Sequence, residues 1–149
     1  MAYERSEAFD HLSSRVNNVA AMSAEARVRV PIRWRDLDML GHLNQAVYHE
    51  LLEEARGALF ASLGDIGGFP FVLVRVELDY KNEVRRDHGH VDVVARVSQV
   101  GRTSITAAHE VLLPDGTVAA EGKCVMVAWD ASNRSAREVS SAERDALEA

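Results

Sequence analysis

The stretch Trp34-Arg35-Asp36-Leu37-Asp38-Met39-Leu40-Gly41-His42-Leu43-Asn44-Gln45-Ala46-Val47-Tyr48 lies between two different sequence periods. Before it, apolar and more polar side chains alternate over residues 28–34, a period of two that predicts a half-buried strand. After it, apolar residues recur at intervals of three and four over residues 43–63, which predicts one long helix with a broad buried face. The stretch is therefore predicted to be a strand-to-helix junction, and it decides the fold.

The rest of the pattern predicts an antiparallel sheet around that helix. Pro31 lacks an N–H donor, which places the first strand at a sheet edge or at a bulge. Gly64, with Gly67 and Gly68, is expected to end the helix. Four strands follow, over residues 72–80, 91–97, 105–113 and 118–128, the last three joined by short turns at residues 101–102 and 114–116. One helix covers five long strands only if the sheet curls around it, although several α+β topologies share this element order.

The chain divides into three predicted regions. Residues 1–26 are polar apart from a few apolar positions at helical spacing, and are interpreted as a weakly structured extension or a short helix. Residues 27–133 form the predicted α+β domain. Residues 134–149 are a predicted tail, in which the amphipathic stretch 140–148 favours a short helix.

Composition excludes several classes of function. The 17 basic and 23 acidic residues give a formal net charge of −6, which argues against a nucleic-acid binder and against docking on an anionic membrane. The single cysteine, Cys124, lacks a partner for an internal disulfide or a zinc cluster, and it is expected to be a small buried core residue. No apolar run is long enough to span a bilayer, and the N-terminus lacks a signal-peptide pattern, so a cytoplasmic location is expected.

The junction itself carries the residue types of a carbonyl-attacking site. The N-terminus of a helix presents unpaired backbone N–H groups and a partial positive charge, which can stabilise an oxyanion. A carboxylate a few residues upstream can attack the carbonyl or deprotonate a water molecule. Asn44 is the candidate N-cap residue, which is expected to leave the N–H groups near Gln45 and Ala46 free.

These residues resemble the signature of the 4-hydroxybenzoyl-CoA thioesterase branch of the hotdog-fold proteins. In that branch an Asp-x-Asp-x-x-Gly-His-x-Asn-x-x-x-Tyr run precedes a helix that ends in Glu-x-Ala-Arg. The matching positions here are Asp36, Asp38, Gly41, His42, Asn44 and Tyr48, followed by Glu53 or Glu54, Ala55 and Arg56. The element order over about residues 27–130 fits as well. The resemblance thus implies a hotdog fold, in which a curled antiparallel sheet wraps around one long central helix.

The resemblance also implies an activity and its residues. It implies hydrolysis of an acyl-CoA thioester, with Asp38 as nucleophile or general base and His42 as a second catalytic candidate. Gly41, Asn44, Gln45 and Tyr48 are the implied substrate-binding residues, with the N–H near Gln45 polarising the thioester carbonyl. No metal and no cofactor is expected, since coenzyme A enters only as part of the substrate. The implied assembly is a homodimer or homotetramer with active sites at the subunit interface.

The motif is also compatible with related activities. Plant acyl-ACP thioesterases share an Asp-Met-Asn-x-His-Val-Asn segment, but Leu40 stands where their catalytic asparagine would be. His42 is therefore open between catalysis and packing at the start of the helix. A non-catalytic acyl-CoA-binding or regulatory domain is a further hypothesis, and a hotdog hydratase or dehydratase is another.

The remaining polar residues are expected to be structural. Asp36 is interpreted as a turn or cap residue, and Glu53, Glu54 and Arg56 as a solvated or ion-paired helix face. His88 and His90 lack a third ligand on a clear scaffold, so a metal site is not expected there. A cluster of basic residues is expected to be solvated, or else to contact the phosphates of coenzyme A: Lys81, Arg85 and Arg86.

Overall fold

The computed structural model describes residues 23–64 and 70–149. The elements in chain order are strand β1 (Glu25–Pro31), helix α1 (Gln45–Ser62), strands β2 (Phe71–Tyr80), β3 (His90–Val100), β4 (Ser104–Leu112), β5 (Val118–Asp130) and β6 (Ser135–Ala136), and helix α2 (Ser141–Glu148). Single 3-10 turns at Trp34–Asp36 and Arg86–His88 lie in the connections. Residues 1–22 of the predicted extension 1–26 and the glycines Gly67 and Gly68 fall outside the described residues, and the three-region division of the chain stays a prediction.

All the strand pairs of the described part are antiparallel. The strand order is β1-β3-β4-β5-β2, with the short β6 on β5, so β1 and β2 are the two edges of the sheet. The predicted edge position of the Pro31 strand is confirmed. Helix α1 packs against the curled sheet, and the α+β hotdog arrangement predicted from the sequence is confirmed. Among the described residues, no helix is long and apolar enough to cross a membrane.

The core lies between helix α1 and the concave face of the sheet. Leu52, Ala55 and Leu59 are fully buried on the helix, and the facing strands contribute alternate buried residues. On β4 and β5 these residues are Ile105, Ala107, His109, Val111, Ala120, Cys124, Met126 and Ala128. Leu63 caps α1, and Gly64 follows with a φ of +79°, a conformation that suits glycine and ends the helix. The predicted buried, unpaired state of Cys124 is confirmed.

The C-terminal helix forms as predicted. The side chain of Ser140 accepts a hydrogen bond from the N–H of Glu143, and the carboxylate of Glu143 accepts one from the N–H of Ser140, a capping box. Arg137 forms an ion pair with the buried Glu143, and Leu147 is fully buried. These contacts fix α2 against the sheet.

The structure corrects three expectations. Trp34 is not in the first strand: β1 ends at Pro31, and the Trp34 side chain is 74% exposed. Arg56 is not solvated but buried, because it lies four residues after Leu52 and four before Phe60 on the inward stripe of α1. The alternating pattern of the 72–80 strand does not produce a buried face throughout, since Val74 is 58% exposed at the sheet edge.

Candidate active site

Asp38 occupies the first position of a tight turn just before helix α1. The N–H of Gly41 donates to the carbonyl of Asp38 at 3.1 Å, and the N–H of Asp38 donates to the carbonyl of His42 at 2.8 Å. One carboxylate oxygen, Oδ1, accepts from the N–H groups of Leu40 and His42 at 2.9 and 3.0 Å. Within the described residues the second oxygen, Oδ2, accepts no hydrogen bond. The turn therefore fixes the orientation of the carboxylate and leaves one of its oxygens available for chemistry.

Gly41 makes the turn possible. Its φ is +77°, in the left-handed region that L-residues with side chains adopt at a cost. Beyond the turn, Leu37 pairs with Leu43, and the N–H of Leu43 donates to the carbonyl of Val84 at 2.7 Å. Hydrogen bonds within the turn and to the loop after β2 thus hold the turn in place.

The start of helix α1 contributes a free backbone donor. The side chain of Asn44 accepts from the N–H of Ala46 at 3.0 Å, which confirms Asn44 as the N-cap. The expectation that the Ala46 N–H stays free is therefore wrong, because the cap itself uses that donor. The N–H of Gln45 has no hydrogen-bond partner in the described part of the chain and remains free at the helix N-terminus, as expected.

An open cavity of about 370 Å³ brings the junction together with the end of strand β2. Of the sequence-predicted site residues, Asp38, His42, Gln45 and Tyr48 line it. Gly41 and Asn44 do not line the cavity and shape it indirectly through the turn and the cap. The other lining residues are Leu43, Tyr80, Lys81, Asn82, Glu83 and Val84.

His42 is held by a carboxylate that the sequence analysis did not single out. The Nε2 atom of His42 lies 2.7 Å from Oε2 of Glu83, and both side chains are nearly half exposed. The other oxygen of Glu83 accepts from Arg85 at 2.6 Å. Hydrogen bonding from Arg85, with a smaller effect of His42, holds the pKa of the Glu83 carboxyl below its ordinary value. Glu83 is therefore ionised at neutral pH and orients the imidazole.

Two tyrosines form an aromatic wall of the cavity. Tyr48 is 4% exposed, and its ring meets Tyr80 edge-to-face at 5.0 Å between centroids. Burial, and to a lesser extent Tyr80, raises the pKa of Tyr48 to about 12. Tyr48 is thus a neutral apolar wall with one hydroxyl, and it is not a base at neutral pH.

Asp36, the first aspartate of the run, has a structural role. It is 4% exposed, and its carboxylate accepts from the backbone N–H of Arg33 at 2.8 Å and from the guanidinium of the same residue. Burial opposes ionisation, but the hydrogen bonds from Arg33 outweigh it, so the pKa of the Asp36 carboxyl is lowered. The expected turn role agrees with this geometry.

The basic residues near the cavity differ in how they are paired. Lys81 lies 3.2 Å from Glu121, and Arg85 is bound by both Glu83 and Asp87. Arg86 instead lies over the ring of Trp34, at 5.2 Å from the ring centroid. His88 accepts from the N–H of Arg85 at 2.9 Å. No group of three or more His, Cys, Asp or Glu side chains within residues 23–64 and 70–149 is arranged to hold a metal ion.

Sequence reasoning missed three cavity residues, Asn82, Glu83 and Val84, because they come from the segment after β2. Asn82, the first of the three, lies 34 residues after Tyr48. No shared spacing links the two segments, so only the fold brings them together. The loop is held by its backbone, since the N–H of Asn82 donates to the carbonyl of Ala119 at 3.0 Å.

Comparison with known proteins identifies the family. A family model described as the thioesterase-like superfamily matches residues 32–147, most of the chain. The chain belongs to this superfamily. It is a hotdog-fold thioesterase, and both the predicted family and the predicted enzyme class are confirmed. None of the curated protein sequences matches the chain.

Solved structures agree with this assignment. A thioesterase from Thermus thermophilus, solved with coenzyme A and Zn, is 33% identical, with a TM-score of 0.74 over 81% of this chain and 90% of that one. A Pseudomonas aeruginosa protein with the provisional name of thioesterase is 28% identical, with a TM-score of 0.70 over 81% and 96%. A mutant 4-hydroxybenzoyl-CoA thioesterase in complex with 4-hydroxybenzoyl-CoA is 16% identical, with a TM-score of 0.73 over 84% and 99%, and shares the fold.

Proposed function

We propose that this thioesterase hydrolyses acyl-CoA thioesters in the cavity at the start of α1, with Asp38 as the catalytic carboxylate. One observation carries the proposal. Asp38 and Gln45 line the same cavity, and no described residue hydrogen-bonds Oδ2 of Asp38 or the backbone N–H of Gln45. A base or nucleophile and an oxyanion donor are the two groups that thioester hydrolysis needs.

The chemistry follows from these two groups. In one route, Asp38 removes a proton from a water molecule, whose oxygen attacks the thioester carbonyl carbon. In the other, the carboxylate attacks that carbon directly, and water hydrolyses the resulting anhydride. In both routes the N–H of Gln45 donates to the developing oxyanion, and the C–S bond breaks to release the thiolate of coenzyme A.

His42 is proposed to assist the departure of the thiolate. Its imidazole lines the cavity, and Glu83 holds it at 2.7 Å. Because Glu83 engages Nε2, the other ring nitrogen, Nδ1, is the atom from which a proton can pass to the leaving sulfur.

Coenzyme A is the proposed carrier of the acyl group. The Thermus relative, 33% identical to this chain, was solved with coenzyme A. The leucine at position 40, where plant acyl-ACP thioesterases have an asparagine, also favours CoA over acyl carrier protein. The walls formed by Leu43, Tyr48 and Tyr80 offer apolar contact to the substrate beside the thioester.

The working unit is proposed to be a homodimer joined at strand β2. Within residues 23–64 and 70–149, strand β2 pairs only with β5, so its other edge carries backbone groups that no described residue pairs. Val72, Leu73 and Val74 are 40%, 41% and 58% exposed there. A second copy pairing its own β2 around a twofold axis would satisfy that edge and cover these side chains. Because β2 ends at Tyr80, which lines the cavity, the partner would lie next to the active site.

The experiment is thiol release from aromatic, short-chain and long-chain acyl-CoAs by wild type and Asp38→Asn. The asparagine oxygen can still accept from Leu40 and His42, so the turn is kept while the charge is lost. We expect kcat to fall at least about a hundredfold, the usual size of a general-base contribution. Equal turnover by both proteins would remove Asp38 from its role.

Asp130→Asn is the matched control. Oδ1 of Asp130 also accepts from two backbone N–H groups of a turn, those of Ser132 and Asn133, at 2.9 and 3.0 Å. This turn lies after β5, away from the cavity, so the variant should keep wild-type turnover. If the wild type hydrolyses no acyl-CoA but does hydrolyse acyl thioesters of acyl carrier protein, coenzyme A is not the carrier. The role of Asp38 is then tested with Asp38→Asn on the carrier-protein substrate.

A further inference from the structure

Beside the cavity lies an exposed aromatic surface flanked by cations, here called the Trp34 shelf and made of Trp34, Arg35 and Arg86. The indole of Trp34 is 74% exposed although the guanidinium of Arg86 lies over the ring at 5.2 Å. An exposed indole of this kind contributes little to the core. With Arg86 over one face of the ring, the exposed remainder of the indole offers an open aromatic surface next to a positive charge.

The cations of the shelf differ from most others in the described part of the chain. Most arginines and lysines there have a carboxylate within ion-pair distance, as Lys81 and Arg85 do. Arg35 and Arg86 form no such ion pair within residues 23–64 and 70–149. In a chain of net charge −6, Arg86 over the exposed ring of Trp34, with Arg35 next to Trp34 in the sequence, forms a local site for an anion.

The shelf belongs to the same two segments that form the cavity. Arg86 lies two residues after Val84, which lines the cavity, so their Cα atoms are at most about 7 Å apart. His42 pairs with Arg85 in an isolated bridge, which joins the catalytic turn to this loop. Trp34 is four residues before Asp38, at most about 14 Å along the backbone. The shelf therefore lies next to the cavity-lining residues along the chain, with Trp34 within about 14 Å of Asp38.

The substrate class of the proposed function has matching chemistry at its far end. Acyl-CoA carries its thioester at one end of a flexible arm and an adenine with a 3′-phosphate and a diphosphate at the other. With the thioester at Asp38, the nucleotide end lies outside the cavity. Adenine stacks on indole rings, and arginine is the preferred partner of phosphate groups.

We infer that the Trp34 shelf binds the 3′-phospho-ADP end of coenzyme A, with adenine on the open face of Trp34 and phosphate on Arg86 and Arg35. The inference rests on the proposed function for its substrate. Lys81 and Arg85, the other members of the basic cluster, are occupied by carboxylates. Arg86 is thus the member of that cluster that contacts the nucleotide.

The kinetic test compares an acyl-CoA with the matching acyl-pantetheine, which has the thioester but no nucleotide. For Trp34→Ala and for Arg86→Ala we expect KM for acyl-CoA to rise on the order of tenfold, the size of a lost stacking or phosphate contact. kcat should change less than about twofold, and KM for acyl-pantetheine should stay at the wild-type value. An equal rise in KM for both substrates, or no rise for either, would contradict nucleotide binding by the Trp34 shelf.

Arg102→Ala is the matched control for the loss of positive charge. Arg102 is exposed and lies in the β3–β4 turn, where the N–H of Val139 donates to its carbonyl, at the end of the sheet away from Tyr80 and the cavity. This variant should keep the wild-type KM for acyl-CoA. A rise in KM equal to that of Arg86→Ala would show a general charge effect and would overturn a specific shelf.

A binding test separates the shelf from the catalytic proposal. The chain has two tryptophans, so Trp129→Phe leaves Trp34 as the reporter of fluorescence. Coenzyme A and adenosine 3′,5′-bisphosphate should both quench it, ATP should do so more weakly because it lacks the 3′-phosphate, and pantetheine should not. If the enzyme hydrolyses no CoA thioester but coenzyme A quenches the fluorescence, the proposed function is wrong and the nucleotide site is supported. If hydrolysis occurs without quenching, the proposed function holds and nucleotide binding by the Trp34 shelf is wrong.

Discussion

The Nε2 atom of His42 lies 2.7 Å from the carboxylate of Glu83, although the two residues are 41 positions apart in the chain. This contact joins the Asp38 turn to the loop after strand β2. It gives the imidazole a fixed orientation in the cavity wall. The tertiary structure, and not the junction motif, therefore places Glu83 beside His42.

The first prediction concerns this pair. We expect His42→Ala to lower kcat at least about tenfold and Glu83→Ala to lower it less, since Glu83 acts through His42. The double variant should be no slower than His42→Ala, because residues that act as a unit are not additive. Steady-state kinetics on one acyl-CoA provide the measurement. Both side chains are nearly half exposed, so unchanged melting temperatures serve as the control, and multiplicative losses would contradict the coupling.

The second prediction concerns stability against pH. His109 is 2% exposed, and burial, followed by the charge of Arg56, lowers its pKa to about 4. The unfolded chain has the ordinary histidine pKa near 6.5 and takes up the proton first as pH falls. The free energy of unfolding should therefore fall between about pH 6.5 and 4, by up to roughly 3 kcal/mol from this group.

Urea unfolding of wild type and His109→Gln at several pH values checks this expectation. Between about pH 6.5 and 4, the free energy of unfolding of His109→Gln should fall less steeply than that of the wild type, whatever the variant's stability at pH 7. Nε2 of His109 lies 3.2 Å from the Sγ of Cys124, so Cys124→Ala is a useful companion variant that keeps the histidine. Identical pH slopes for wild type and His109→Gln would show that other groups dominate.

The third prediction compares two glycines, one with no room for a Cβ atom and one with open space around it. A Cβ on Gly122 would collide with the backbone carbonyl of Glu77 on the neighbouring strand β2. Gly57 in helix α1 has no atom within 4 Å of an added Cβ. We expect Gly122→Ala to destabilise the protein by at least about 2 kcal/mol, since the strands must shift. Gly57→Ala should stabilise it by about 0.5–1 kcal/mol. Denaturant midpoints measure both, and a tolerated Gly122→Ala would contradict the close approach.

The fourth prediction tests the proposed dimer. Val74→Lys places a charge on the exposed edge strand β2, and we expect the dissociation constant of the dimer to rise at least about a hundredfold. Gln99→Lys is the control, because Gln99 is also exposed but lies on the inner strand β3. Light scattering over a range of concentrations gives the oligomeric state. A Val74→Lys protein that associates as the wild type does would place the interface elsewhere.

The sequence alone determined the local features of the molecule. The change of period at the junction predicted helix α1 and the strands, because burial on one face imposes a spacing of 3.6 residues in a helix and two in a strand. The same stretch predicted that Asn44 caps the helix and that Asp38 lies just before it. These are short-range relationships, fixed by backbone geometry over a few residues.

The tertiary structure decided the contacts between distant segments. Arg56 is charged and was expected on a solvated or ion-paired helix face, but its position on the buried stripe of α1 places it in the core. Trp34 was expected in the first strand, but β1 ends at Pro31 and leaves the indole exposed. The pairing of His42 with Glu83 has no sequence signal at all. Such contacts depend on how the sheet curls and where loops meet, and periodicity carries no information about distances between segments far apart in the chain.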